Sequence, residues 1–153
     1  MGLVDEIPPG ARVAFDTSPL IYFMERDERF GPVVRPVFQL VDQGALTAVC
    51  STMSLLEVLV APLRAQDAHL VQSYRNLLLD TRGLVLLSVN SSLAQLAATL
   101  RAEHNLSVPD AVVAATALEG KCDVLLTNDP AFQRLTDVRP LLLSTFVESE
   151  SAP

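Results

Sequence analysis

Little in this chain points to a membrane, to zinc or to an extended basic surface, and each shortage removes a class of function. No apolar run approaches the roughly 18 residues that a membrane span requires, and the opening MGLVDEIPPGAR has no basic region followed by an apolar core. The expectation is a soluble, cytoplasmic protein. Cys50 and Cys122 are the only cysteines; both fall in apolar, strand-like segments without zinc spacing, and they read as small core residues. His69, in a polar helical pattern, and His104, near a helix end, read as surface residues rather than ligands. Cations are scarce as well: 11 Lys and Arg stand against 18 Asp and Glu, a net charge of −7. The resulting pI near 4.7 argues against a broad nucleic-acid-binding face. Carboxylates gathered in a metal site weigh fully in that sum although bound cations neutralise them, and local arginines can still guide a phosphate backbone.

What is abundant is apolar sequence. Hydrophobic residues make up 50% of the 153 and charged residues 19%, with a mean hydropathy of +0.34, which suits one well-packed domain with a single core. Residues 1–12, with two adjacent prolines and a glycine, read as a lead-in, 13–147 as the domain and 148–153 as a tail. The stretch SVPDAVVAATALEG, Ser107 to Gly120, organises the rest: a helix apolar on nearly every face, as expected of one buried against a sheet. It opens on a carboxylate, Asp110, three residues after Ser107, a spacing that a capping box also explains.

Around it, Val13–Phe15, Leu46–Val49, Leu84–Leu87, Asp123–Thr127 and Arg139–Leu143 read as short buried strands. Between them lie helices over about 20–26, 33–43, a segment opened by Ser51 or Ser54 and closed by Pro62, about 66–80, and one from Asn90 or Ser91 to Asn105. Ser18 is the expected cap of the first helix, with Pro19 at its first position, which leaves Asp16 without a capping duty. Asn128-Asp129-Pro130 is a turn into a short helix. Strands without polar alternation, separated by helices, predict a single α/β domain: a short parallel sheet covered by helices on both faces.

In such a sheet, ligands bind beyond the C-terminal ends of the strands. Asp16 directly follows the first strand and Asp129 closely follows the fourth, where, standing before Pro130, it can equally be a helix cap; Glu57 and Asp110 lie near helix starts, where Ser54 and Ser107 supply a capping explanation for each. Four carboxylates on one edge repel one another, so their convergence implies raised pKa values or a divalent cation. All-oxygen ligands favour Mg²⁺ or Mn²⁺ over zinc.

FDTSPLIY, STMSLLEVL, LSVPDAVVAATAL and VLLTNDPAF, taken in this order and spacing, make the chain resemble the PIN-domain family of nucleases from about Val13 to Leu143, especially the VapC-type toxins of toxin–antitoxin pairs. The resemblance implies endoribonuclease activity dependent on Mg²⁺ or Mn²⁺, leaving a 5′-phosphate and a 3′-hydroxyl. It implies that Asp16 and Asp110 bind metal directly while Glu57 and Asp129 hold the metal or its water and orient the nucleophile. Thr127, Ser18 and Asn128 become supporting donors, Ser18 serving equally as a helix cap. It further implies a homodimer and a cognate antitoxin able to place a basic side chain at the acidic site, which the −7 charge suits better than naked RNA. Two other readings compete. An aspartyl-nucleophile phosphatase is disfavoured because DTSPL lacks a second aspartate two residues on. A silent PIN-like module binding RNA or protein is disfavoured because a domain freed of catalysis has no reason to keep mutually repelling carboxylates.

Overall fold

Five strands, β1 (Arg12–Phe15), β2 (Thr47–Ser51), β3 (Leu84–Leu87), β4 (Val124–Thr127) and β5 (Arg139–Leu142), form one parallel sheet in the order β3-β2-β1-β4-β5. The computed structural model describes residues 2–151, with backbone alone over 148–151. Alternate side chains leave the sheet on opposite faces. Val13, Phe15, Val124 and Leu126 enter one core, Ala14 and Leu125 the other.

Among the described residues seven helices cover these faces: α1 (Thr17–Met24), α2 (Gly31–Asp42), α3 (Thr52–Arg64), α4 (Ala68–Asp80), α5 (Ser91–His104), α6 (Val108–Glu119) and α7 (Leu143–Ser151). Helices α1 to α4 and α7 contribute to the first core, and α5 and α6 to the second. The expected architecture is therefore the observed one. Among the described residues no helix is long and apolar enough to cross a membrane. Cys50 is buried in the first core, and burial pushes the half-buried Cys122 thiol up to about 11, in keeping with packing roles.

The organising helix sits where its composition suggests. Ala114, Ala115 and Ala117 are fully buried, and their small side chains let α6 lie close to the sheet centre. Its end comes closest of all: a Cβ on Gly120 would stand 2.8 Å from Val49 Cγ1 and 2.9 Å from the Thr116 carbonyl oxygen.

Several local expectations fail, each for a physical reason. Asp16, not Ser18, caps α1: its Oδ1 accepts from the Thr17 N–H at 2.8 Å, so Ser18 and Pro19 lie inside the first turn. Both residue types are good caps, and the one that immediately follows the strand captures the first free amide. Ser51 caps α3 through the Met53 N–H, which places Ser54 inside the helix and removes the capping-box account of Glu57. Pro62 does not close α3; the helix runs on to Arg64 and stops before Gln66, whose φ of 54° is left-handed. The lead-in forms a 3₁₀ turn over Leu3–Glu6 and buries Leu3 and Ile7 in the first core, tied down by an Arg139–Glu6 ion pair. Residues 148–151, expected in a tail, belong to α7, which buries Leu143 and Phe146; Ala152 and Pro153 lie outside the described residues.

Candidate active site

Strand order reverses about β1: the chain moves outward through β2 to β3, then crosses back to β4 on the other side. The crevice beyond the C-terminal ends of β1 and β4 is thus the topological switch point, the place where open parallel sheets bind ligands. The two strand ends are locked in register by the Phe15–Leu126 pair and by the Asp16 N–H, which donates to the Leu126 carbonyl at 2.9 Å.

Four elements deliver the four acids here. Asp16 follows β1, Asp129 follows β4, Asp110 lies in the first turn of α6 and Glu57 in the second turn of α3. The Thr127 hydroxyl, fully buried, donates to Asp16 Oδ2 at 2.8 Å and accepts from the Asp129 N–H at 3.0 Å, so one side chain links two of the acids. The Thr17 hydroxyl donates to Glu57 Oε1 at 2.8 Å. Asp129 Oδ1 accepts from the Ala131 N–H at 2.9 Å, capping the 3₁₀ turn Pro130–Arg134. Asp110 keeps part of the expected cap, its N–H donating to Ser107 Oγ at 3.3 Å.

Their charges act on one another. Burial first, then the charge of Asp129 and more weakly that of Asp16, together push the Asp110 carboxyl up to about 6 against the lowering effect of Ser107. Burial also raises Asp16; hydrogen bonds from Thr127 and Thr17 pull it back, and the charges of Glu57 and Asp129 add to the rise. Among the described residues the ion pairs are Arg139–Glu6 and His104–Glu103, neither of them at this edge, so no protein cation offsets the four. As the side chains stand, no three acidic, histidine or cysteine groups among the described residues converge closely enough to ligate one ion. Mg²⁺ does not require that: it is commonly held by one or two carboxylates and keeps several waters. The chemistry of an all-oxygen acidic edge suits such an ion better than zinc, which favours nitrogen and sulfur ligands.

The remaining expected residues divide. Thr127 joins the acids directly. Ser18 lies in the first turn of α1 without the capping bond. Asn128 faces other partners: its Nδ2 donates to the Tyr22 hydroxyl at 3.4 Å and its Oδ1 accepts from the Ser144 N–H at 3.1 Å, joining the β4 turn to α1 and α7. Sequence reasoning passed over Thr17 and Ser54. The signal for Ser54, three residues before Glu57, was read as a cap, and Thr17 was hidden by standing next to the more conspicuous Asp16.

Comparison with known proteins agrees with this fold. The chain is similar to VapBC2 from Rickettsia felis, bound to a DNA fragment from its promoter, with a TM-score of 0.67 at 16% identity over 86% of this chain and 98% of that one. It is similar to VapC20 from Mycobacterium tuberculosis, a toxin that cleaves the sarcin–ricin loop, with a TM-score of 0.65 at 16% identity over 84% and 99%. A toxin–antitoxin complex from Klebsiella pneumoniae gives 0.62 at 23% identity over 82% and 94%. At these identities the likeness is one of fold. No curated protein matches the sequence. The PIN domain profile, however, matches residues 13–138, a span that runs from the second residue of β1 through β4 and takes in all four acids, and on that match this chain belongs to the PIN domain family.

Proposed function

We propose that this chain is an Mg²⁺- or Mn²⁺-dependent endoribonuclease and the toxin of a type II toxin–antitoxin pair. The observation that carries the reading is the edge at the switch point, where four acids from four separate elements act on one another and, among the described residues, no ion pair offsets them. Such an arrangement weakens the free protein at neutral pH, and a bound divalent cation relieves it. A divalent ion bound there supplies an activated water and neutralises charge on the phosphate during in-line displacement.

The protein's own groups do the rest. Asp16 and Asp110 would hold the ion, Asp16 kept in place by its two hydrogen bonds from Thr17 and Thr127. Glu57 and Asp129 would hold the ion's waters and orient the attacking one, and Thr127 fixes Asp129 relative to Asp16 through its hydroxyl. Ser18 and Asn128 play supporting parts at most, Asn128 by fixing the turn that carries Asp129.

The partners follow from charge and exposed surface. A chain of net charge −7 attracts a basic antitoxin segment, and the VapBC structures it resembles are toxin–antitoxin assemblies. Leu56, Val60 and Leu63 lie exposed at helical spacing on α3, beside Glu57, an apolar stripe suited to a homodimer contact.

The test is incubation with bulk RNA and millimolar Mg²⁺ or Mn²⁺. Cleavage to 5′-phosphate ends is expected, lost on adding EDTA and reduced at least about 100-fold in Asp16→Asn. RNA that is bound but stays intact across both metals would instead identify a silent binding module.

A further inference from the structure

We propose that Thr17 is a positioning residue that holds Asp16 and Glu57 in their working relation, an inference that rests on the nuclease reading above. Thr17 stands between two like charges and donates to both: its backbone N–H to Asp16 Oδ1 and its hydroxyl to Glu57 Oε1, each at 2.8 Å. The two carboxylates repel each other, and Glu57 has a long side chain whose rotamer freedom opposes any fixed orientation. One hydrogen bond to each acid answers both problems from a single residue.

The direction of the third contact follows from proton counting. A hydroxyl carries one proton, and Thr17 gives its own to Glu57. The 3.3 Å contact between Thr17 Oγ1 and Ser54 Oγ therefore runs the other way, with the buried Ser54 hydroxyl as donor. A directed chain results, Ser54 to Thr17 to Glu57. It begins one turn before Glu57 on α3, passes through α1 and returns to the Glu57 carboxylate, so that the acid is referenced both to its own helix and to the residue after Asp16. Thr17 has no proton left for a ligand, which makes its action indirect.

The experiment uses the full chain with Thr17→Val, Thr17→Ser and Glu57→Ala. Thr17→Val keeps the size and the backbone N–H while removing the hydroxyl. Losing a partner that orients a ligating or catalytic group commonly costs about 10–100-fold, so kcat for RNA cleavage should fall by about that factor with KM nearly unchanged. Mn²⁺ affinity, followed by electron paramagnetic resonance, should fall about tenfold, and Thr17→Ser should restore both quantities to within about threefold. In EDTA, the melting shifts of Thr17→Val and Glu57→Ala should be non-additive in the double variant, a readout that needs no cleavage. Wild-type kcat and Mn²⁺ affinity in Thr17→Val, additive melting shifts, or no rescue by Thr17→Ser would each overturn the positioning role and leave the nuclease reading standing. Wild-type protein that neither cleaves RNA nor binds Mn²⁺ would overturn the nuclease reading and this inference with it.

Discussion

Asp16 serves two purposes with one carboxylate: Oδ1 closes the start of α1 and Oδ2 receives the Thr127 proton, both while the group sits among other acids. Its type was conspicuous in the sequence, but its capping duty was not, because Ser18 two residues on is an equally acceptable cap and only the backbone path chooses between them. Glu57 was ambiguous for the same reason, and the position of Ser51 at the start of α3 resolved it. Asp110 shows most directly what burial beside other acids costs. Its carboxyl titrates at about 6 in the folded chain against an ordinary 3.8, so the folded state binds this proton more tightly than the unfolded one. Stability therefore falls as pH rises from about 4 to about 6, and the penalty is fully present above that range. In EDTA, Asp110→Asn should melt higher than wild type at pH 8, with the difference shrinking towards pH 4. The Ser107 cap on the backbone N–H of residue 110 is kept, while the Ser107 contact that lowers the Asp110 carboxyl loses its charge. A lower melting temperature for the variant at pH 8 would show that Asp110 is not strained by its neighbours.

Among the elements, α6 was the most legible and the ends of the chain the least. An all-round apolar helix can only be buried, so SVPDAVVAATALEG announces its own place, and Gly120 marks its end. What the pattern does not reveal is why the terminator must be glycine. Gly120 has an ordinary φ of −76°; the constraint is space, since a Cβ there would meet Val49 and the immovable Thr116 carbonyl. Gly120→Ala should destabilise by about 1–3 kcal/mol, the usual cost of overpacking, and lower the melting temperature by roughly 3–10 °C. An unchanged melting curve would mean that α6 can move off the sheet freely. At the ends, the 3₁₀ turn over Leu3–Glu6 and α7 carry few apolar residues each and show no periodicity of their own. They are ordered by docking, Leu3 and Ile7 into the first core and α7 through Leu143, Phe146 and the Asn128–Ser144 hydrogen bond.

For the molecule as a whole, the acidic crevice makes metal and stability one subject. An ion that binds the folded state alone stabilises it by mass action, by about 2.7 kcal/mol at a hundred times Kd, or roughly 5–10 °C for a chain of this size. Mg²⁺ or Mn²⁺ should therefore raise the melting temperature of the wild type, and Asp110→Asn should lose most of the gain. A melting temperature indifferent to millimolar metal would remove the ion from the crevice. The sequence by itself determined the parallel α/β architecture and the buried helix at its centre, and it offered four acids as candidates, because apolar runs, helix periods and residue chemistry are local properties. Only the tertiary structure decided that the four acids lie close enough to act on one another, that Thr17 links Asp16 to Glu57 and Thr127 links Asp16 to Asp129, and that Asn128 turns towards Tyr22 and α7. Those facts depend on strand order and register, which bring Thr127 to Asp16 across 111 positions of the chain.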